Sequence, residues 1–306
     1  MGSKAGIVAL LGAPNAGKST LFNRLVGFPL AAVTYKPQTT RFLVTGILNH
    51  ALGQMVVIDT PGLIARPKNP WHEALNRHSY RAAQDADALL YLIALKEERE
   101  SPTETLTLIS ERPNLLEKPL FIGLTHGDSL SALTRQNRLE ALSEALAPFS
   151  PRGIYDVSVD KPLDSLILGL FEALPEGAPL YPVEEITPQS VRFFVGEIIR
   201  KYLYTHLQEE LPYGTEVDVV SYKEGPERDY INAVIYVEKE SHKPMVIGRR
   251  GAMIKKIGTE ARKEIEQLVN KPVYLELYVK VASHWRKSIQ RLKAWGYEVR
   301  GGLESK

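Results

Sequence analysis

The stretch that decides the fold is Ile7-Val8-Ala9-Leu10-Leu11-Gly12-Ala13-Pro14-Asn15-Ala16-Gly17-Lys18-Ser19-Thr20. Its first five residues form a continuous apolar run, as a strand buried on both faces requires. Gly12 to Ser19 then fits G-x-x-x-x-G-K-[ST], and helix-like spacing follows. Glycines at both ends let the chain curl until successive backbone N–H groups converge, and the following helix adds the positive end of its dipole. Ala13, Pro14, Asn15 and Ala16 would cradle phosphates with their backbone, with Thr20 opening the helix behind them. Lys18 would reach the β- and γ-phosphates of a nucleoside triphosphate, and the Ser19 hydroxyl would coordinate Mg²⁺.

Outward from this loop, short apolar runs alternate with helical patterns. Met55–Ile58, Ala88–Ile93 and Pro119–Leu124 read as further buried strands, while Pro102–Arg112 and Ser131–Leu146 carry helical spacing. The expectation is an α/β domain over residues 1–175, a mostly parallel sheet with helices on both faces. Pro175, Gly177, Pro179, Pro182 and Pro188 mark 176–188 as a linker. Beyond it the order changes to helix, two alternating strands (Thr215–Tyr222, Tyr230–Val237), helices flanking Gly248–Gly251, a strand at Val273–Val281 and a last helix near His284–Trp295. That order predicts a separate α+β domain over 189–306.

Two elements downstream give the phosphate loop a partner. Asp59-Thr60-Pro61-Gly62 ends the Met55–Ile58 run, where a carboxylate can hold Mg²⁺ and the Gly62 N–H can face a γ-phosphate. Between the two lies Gln38-Thr39-Thr40-Arg41, where a threonine hydroxyl can complete the metal shell only while the third phosphate is present. Thr40 is favoured over Thr39 by its position before Arg41. After the strand ending at Leu124 comes Thr125-His126-Gly127-Asp128, and the Asp128 carboxylate can accept from both N1–H and N2–H₂ of guanine, a pair of donors that adenine lacks.

Composition restricts the remaining classes. The 306 residues exceed one ordinary domain. The chain has no cysteine, which removes disulfides and thiolate metal sites. No apolar run reaches the roughly 18 residues of a membrane span, and a cytoplasmic location is the plain expectation. None of the seven histidines has metal-ligand spacing; Trp71, His72 and His78 read as packing and surface residues of a mobile helix. Ser/His/Asp catalysis has no nucleophile-elbow support, and a P-loop kinase would need an acceptor lid that the sequence does not contain.

The net charge of +2 conceals an asymmetry: Ser241–Lys306 holds 15 Lys/Arg against 6 Asp/Glu, whereas Tyr181–Glu240 holds 6 against 12. A polyanion is expected at the basic end. There Val246-Ile247-Gly248-Arg249-Arg250-Gly251 places a G-x-x-G loop between two helical segments, followed by Lys255, Lys256 and Arg262. Such a loop clamps about four nucleotides by their backbone in type II KH domains, and the flanking strands argue against a DNA-binding helix-turn-helix.

Gly12–Thr20, Gln38–Arg41, Asp59–Gly62 and the whole C-terminal domain resemble the translation-factor-related GTPases, and among them the bacterial Era GTPases, over nearly the full chain. The resemblance implies a GTP/GDP- and Mg²⁺-dependent switch. It would bind the 3′ end of small-subunit ribosomal RNA and act in maturation of that subunit. It further implies a monomer associated peripherally with the inner face of the cell membrane. The chain departs from the family at two places: Thr125 and His126 stand where the base motif has Asn-Lys, and Ser158-Val159-Asp160 answers a Ser-Ala-Lys-like loop. Leu63 occupies the position where many GTPases carry a water-orienting glutamine. Asn15 resembles an asparagine that ligates K⁺ in related GTPases, a role that competes with simple turn stabilisation. An RNA-binding assembly factor that binds GTP but scarcely hydrolyses it is the second reading.

Overall fold

In a computed structural model the chain is described over residues 2–96 and 104–299. Pro102 and Thr103, at the start of one expected helix, lie outside the described residues. The chain divides into two compact units. One runs up to Ala31 and takes in Thr40–Lys68 and His72–Pro188; the other comprises Ala32–Thr39, Asn69–Trp71 and the chain from Gln189 onward.

The first unit is built on six strands: β1 (Lys4–Gly12), β2 (Val44–His50), β3 (Gly53–Asp59), β4 (Ala88–Ala94), β5 (Leu120–Thr125) and β6 (Gly153–Asp156). Their order is β2-β3-β1-β4-β5-β6, with only β2 antiparallel to its neighbour. β4 and β5 are buried at nearly every residue, the pattern of strands covered on both faces. Helices α1 (Lys18–Val26), α2 (Pro70–Asp85), α3 (Glu104–Ser110), α4 (Pro113–Leu116), α5 (Ala132–Leu146) and α6 (Asp164–Ala173) complete the unit. α1 buries Leu21, Phe22 and Leu25, one stripe of its surface, and stops at Gly27 in the left-handed region. This is an α/β fold with a mostly parallel sheet, as the alternation of apolar runs predicts.

Two strands were not evident in the sequence. β2 hides its role because Gly46 and Asn49 break the apolar alternation, yet Gly46 sits where a Cβ would come within 2.4 Å of Val26. The proline-rich stretch is also more fixed than its composition suggests. Ile47 N–H donates to the Ile186 carbonyl (2.8 Å), Thr187 Oγ1 to Thr45 O (2.7 Å) and Asn49 Nδ2 to Val183 O (2.8 Å), while Gln54 exchanges two bonds with Tyr181. These residues cover the free edge of β2. Prolines between them cannot donate, but their neighbours can.

The second unit carries a three-stranded sheet, β7 (Thr215–Lys223), β8 (Asp229–Val237) and β9 (Val273–Val281), with β7–β8 antiparallel and β8–β9 parallel. Its helices are α7 (Val191–His206), α8 (His242–Ile247), α9 (Ala252–Val269) and α10 (Ile289–Ala294). One sheet face, with Ile231, Ala233 and Ile235, packs against Val195, Ile199 and Leu203 of α7 and Ile257, Ala261 and Ile265 of α9 in a single core. The predicted element order is therefore present, and it is that of a KH domain. The expected last helix is broken: a 3₁₀ turn at Trp285–Lys287 precedes α10, because the Ser288 hydroxyl caps a fresh start by accepting from Arg291 N–H.

Candidate nucleotide and RNA sites

In the first unit, the loop from Gly12 to Ser19 leaves β1 and enters α1. Gly12 has φ 142° and Gly17 φ 83°, and a Cβ on Gly12 would lie 2.5 Å from the Leu92 carbonyl. Only glycine serves at these corners. Asn15 also takes positive φ (62°) and is exposed at the loop tip. Lys18 is buried, its Nζ donating to the carbonyls of Gly12 (3.2 Å) and Ala13 (2.8 Å), so the ammonium is held inside the loop's concave side.

Three sequence-distant oxygens meet beside it. Ser19 Oγ donates to Asp59 Oδ2 (2.6 Å), and the Thr40 hydroxyl lies 2.9 Å from Ser19 Oγ and 3.4 Å from Asp59 Oδ2. Asp59 is fully buried at the end of β3. Its Oδ1 accepts no hydrogen bond among the described residues. Burial pushes its carboxyl up to about 6, against the opposing pull of the Ser19 hydroxyl and the Lys18 charge. A buried acceptor left unsatisfied costs about 1–3 kcal/mol, a penalty that a hard cation at this oxygen set would remove. The favoured Thr40, rather than Thr39, is the threonine that joins the cluster.

The turn after Asp59 is clamped to the phosphate loop. Thr60 Oγ1 donates to Leu10 O (2.6 Å), Leu63 N–H to Gly12 O (3.0 Å), and a Cβ at Gly62 would come within 2.5 Å of Pro14 N. Leu63 itself is turned wholly into the core. His78 is buried and meets Phe42 edge-on, as a packing residue does.

At the end of β5, Thr125 Oγ1 donates to Ala16 O (3.0 Å), tying this loop to the phosphate loop as well. His126 sits in the left-handed region (φ 58°). Burial and then Lys96 push its imidazole below the ordinary value, against a hydrogen bond to the Asn15 backbone and the charge of Asp128. Asp128 is exposed. Ser158, read from sequence as a weak match, is buried and its Oγ accepts from Gly127 N–H (3.2 Å), whereas Val159 is exposed.

Sequence reading missed the residues that hold this corner. Asp156 accepts from Ser158 Oγ (2.7 Å) and pairs with Arg135, and Arg24 donates to the carbonyls of Val157, Ser158 and Lys161. Arg24 lies more than 130 positions from its acceptors, so no local pattern could reveal it. All these loops leave the carboxyl ends of β1, β3, β5 and β6, the place where open α/β sheets bind ligands.

The second unit presents a different site. α8 stops at Gly248 (φ 75°), Arg250 takes φ 52° and Gly251 φ 78°, and α9 starts at once. Arg249, Arg250, Lys255, Lys256 and Arg262 are exposed, and Ile247 is half-buried beneath the loop. Ile257 and Ile265 face the core. Ile254 is only partly buried: with Gly258, Leu275 and Leu277 it floors an open groove of ≈ 290 Å³ rimmed by Lys255 and Arg262. An apolar floor with cationic edges suits bases below and phosphates above.

Fold and sites together define a P-loop GTPase joined to a KH domain. Residues 7–126 match the profile of the 50S ribosome-binding GTPases and residues 210–286 that of the KH domain. The chain is 35% identical to GTPase Era of Xylella fastidiosa over 96% of its length and 98% of the relative. It is 36% identical to that of Nitratidesulfovibrio vulgaris, covering 96% of each chain. Two solved structures superpose with TM-scores of 0.89 at 32% identity, covering 97% of this chain and all of theirs. One is a variant of Aquifex aeolicus Era bound to GDP and AlF4⁻; the other is Era in complex with MgGDPNP and nucleotides 1506–1542 of 16S ribosomal RNA. The chain belongs to the Era GTPase family and is a GTPase.

Proposed function

We propose that this chain is a GTP-driven switch that binds the 3′ end of small-subunit ribosomal RNA and acts in assembly of the small ribosomal subunit. It would work in the cytoplasm as a monomer, peripherally at the membrane when attached. A first domain that keeps the proline-rich stretch as far as Pro188 and a second from Gln189 onward fit this division of labour. The observation that carries the switch is the meeting of Ser19, Thr40 and Asp59 around an unsatisfied buried oxygen. These residues fit Mg²⁺, which when bound neutralises charge on the β- and γ-phosphates.

Lys18 would exchange its loop carbonyls for phosphate oxygens. Gly12 to Thr20, all but Pro14, which has no N–H, would supply backbone donors, Gly62 N–H would meet the γ-phosphate, and Thr125, His126, Asp128, Ser158 and Val159 would enclose guanine. Thr40 would join the metal's ligands from its own loop, so loss of the γ-phosphate would free that loop. Because Leu63 is buried in the core, no side chain at its position can orient the attacking water. Either backbone groups and Thr40 would place that water, or K⁺ held near the exposed Asn15 would help by stabilising the developing charge. The Ile247–Gly251 loop with Lys255 and Lys256 would clamp the RNA backbone above the groove. The resemblance to the Era–RNA complex supports the choice of RNA.

The test is hydrolysis of GTP and ATP in KCl and in NaCl at matched ionic strength, with and without a small-subunit rRNA 3′-end oligonucleotide. Turnover of GTP alone, raised by K⁺ or by the oligonucleotide, is expected. GTP binding without turnover in every condition would favour an assembly factor that binds nucleotide but scarcely hydrolyses it.

A further inference from the structure

The sheet of the second unit has two faces, and only one faces the core that α7 and α9 cover. On the other face Tyr230, Tyr274 and Tyr278 are 50%, 47% and 51% exposed. Tyr230 and Tyr274 are register partners whose rings lie 6.0 Å apart. At the other end of this face Tyr236 is packed against Trp295, 4.9 Å between centroids. The tyrosine end has no such cover among the described residues. Cross-strand aromatic pairs do stabilise sheets, but that purpose does not require two half-exposed phenols to share one carboxylate.

That carboxylate is Glu276. Tyr274 OH donates to Oε1 (2.9 Å) and Tyr278 OH to Oε2 (3.1 Å). The Asn232 amide, in the orientation that satisfies both of its ends, donates to Oε2 (2.8 Å). A glutamate on a sheet surface is normally free to swing; half-buried Glu276 is fixed by three donors from two strands. Asp218, on β7, points to the same face, and Lys223 and Lys280 stand at its margins. The centre is therefore anionic and aromatic.

We propose that this face docks an extended, arginine-bearing segment of a protein partner. A guanidinium stacks on a tyrosine ring and pairs with a fixed carboxylate in one geometry, which an ammonium does less well. Tyr274, Glu276 and Tyr278 alternate along one strand, so a chain lying beside them would present a basic residue at every second position, about 7 Å apart. RNA is the poorer occupant here: bases could stack on the rings, but the fixed Glu276 charge repels the phosphates that must follow. The basic loop and groove of the same unit carry the opposite character.

The experiment uses the full chain and a capped peptide of five Arg-Gly repeats, with the Lys-Gly peptide as control, followed by NMR of the tyrosine ring resonances. Saturable binding of the arginine peptide is expected, at least fivefold tighter than the lysine peptide. Glu276→Gln, which keeps an acceptor but removes the charge, should weaken it about tenfold. Tyr274→Leu with Tyr278→Leu should remove it, with GTP hydrolysis and affinity for the rRNA 3′-end oligonucleotide unchanged within twofold. If the peptide does not bind, or binds Glu276→Gln as well as the parent, the proposal fails. A fall in oligonucleotide affinity in Glu276→Gln, whose charge loss should only help RNA, or in the tyrosine variant while its circular dichroism is unchanged, would assign the face to RNA instead.

Discussion

The molecule uses a glycine-bent loop before a helix twice, and the two loops are built to opposite ends. Gly12–Ser19 is stitched in from three sides, through Leu63 N–H, Thr125 Oγ1 and the close approach of Gly62, and its lysine is 6% exposed. Gly248–Gly251 is fixed at its base, where Gly248 N–H donates to Pro244 O (2.8 Å), Gly251 N–H donates to Gly248 O (3.0 Å) and a Cβ at Gly248 would come within 2.6 Å of Met253, yet it leaves both arginines in solvent. The first arrangement preorganises a small, highly charged ligand and its metal, where an ångström matters. The second meets a polymer backbone, where charge and access matter more than exact placement.

The comparison can be broken at several points. The largest effect is expected from Asp59→Asn: hydrolysis should drop about 10³-fold and nucleotide affinity should lose its dependence on Mg²⁺. Removing a buried, half-satisfied carboxylate should leave the melting temperature of the nucleotide-free protein level or higher, measured by calorimetry. A large loss of stability would mean that Asp59 is structural.

Arg249→Ala with Arg250→Ala should act on the other loop alone. If both contact phosphates, the slope of log affinity against log salt should flatten by about 1.4 for a single-stranded rRNA oligonucleotide. GTP turnover without RNA should stay as it was. An unchanged slope would remove the loop from the RNA site.

The smallest effect is expected from His126→Lys, which restores a permanent cation and an aliphatic stem over the base. Burial keeps the imidazole largely neutral at pH 7, so lysine should tighten GDP binding by about threefold in a fluorescent-nucleotide competition assay. Weaker binding would show that the ring itself serves the base.

How far the sequence could be read follows the same contrast. Gly12–Ser19, Asp59–Gly62 and Gly248–Gly251 were legible because local backbone chemistry leaves a local pattern. The α+β order of the second unit was legible because helix and strand periods differ. The supports were not. Arg24, Arg135 and Asp156 are ordinary polar residues until the fold brings Arg24 to the carbonyls of 157, 158 and 161. β2 was obscured by Gly46 and Asn49, and the proline-rich stretch gave no sign that Gln54 and Asn49 would bind it. Leu63 was visible as a departure, but only its burial shows that the side chain faces the core.

The central claim is that nucleotide and RNA are held by separate chemistry in one chain. Its most direct test is Lys18→Ala in the full chain, with GTP and rRNA 3′-end oligonucleotide affinities measured on the same preparation. GTP binding should fall by at least about 100-fold, since a buried cation among phosphates is lost, and nucleotide-free RNA affinity should move by less than twofold. Equal loss of both affinities from a folded protein would contradict the account.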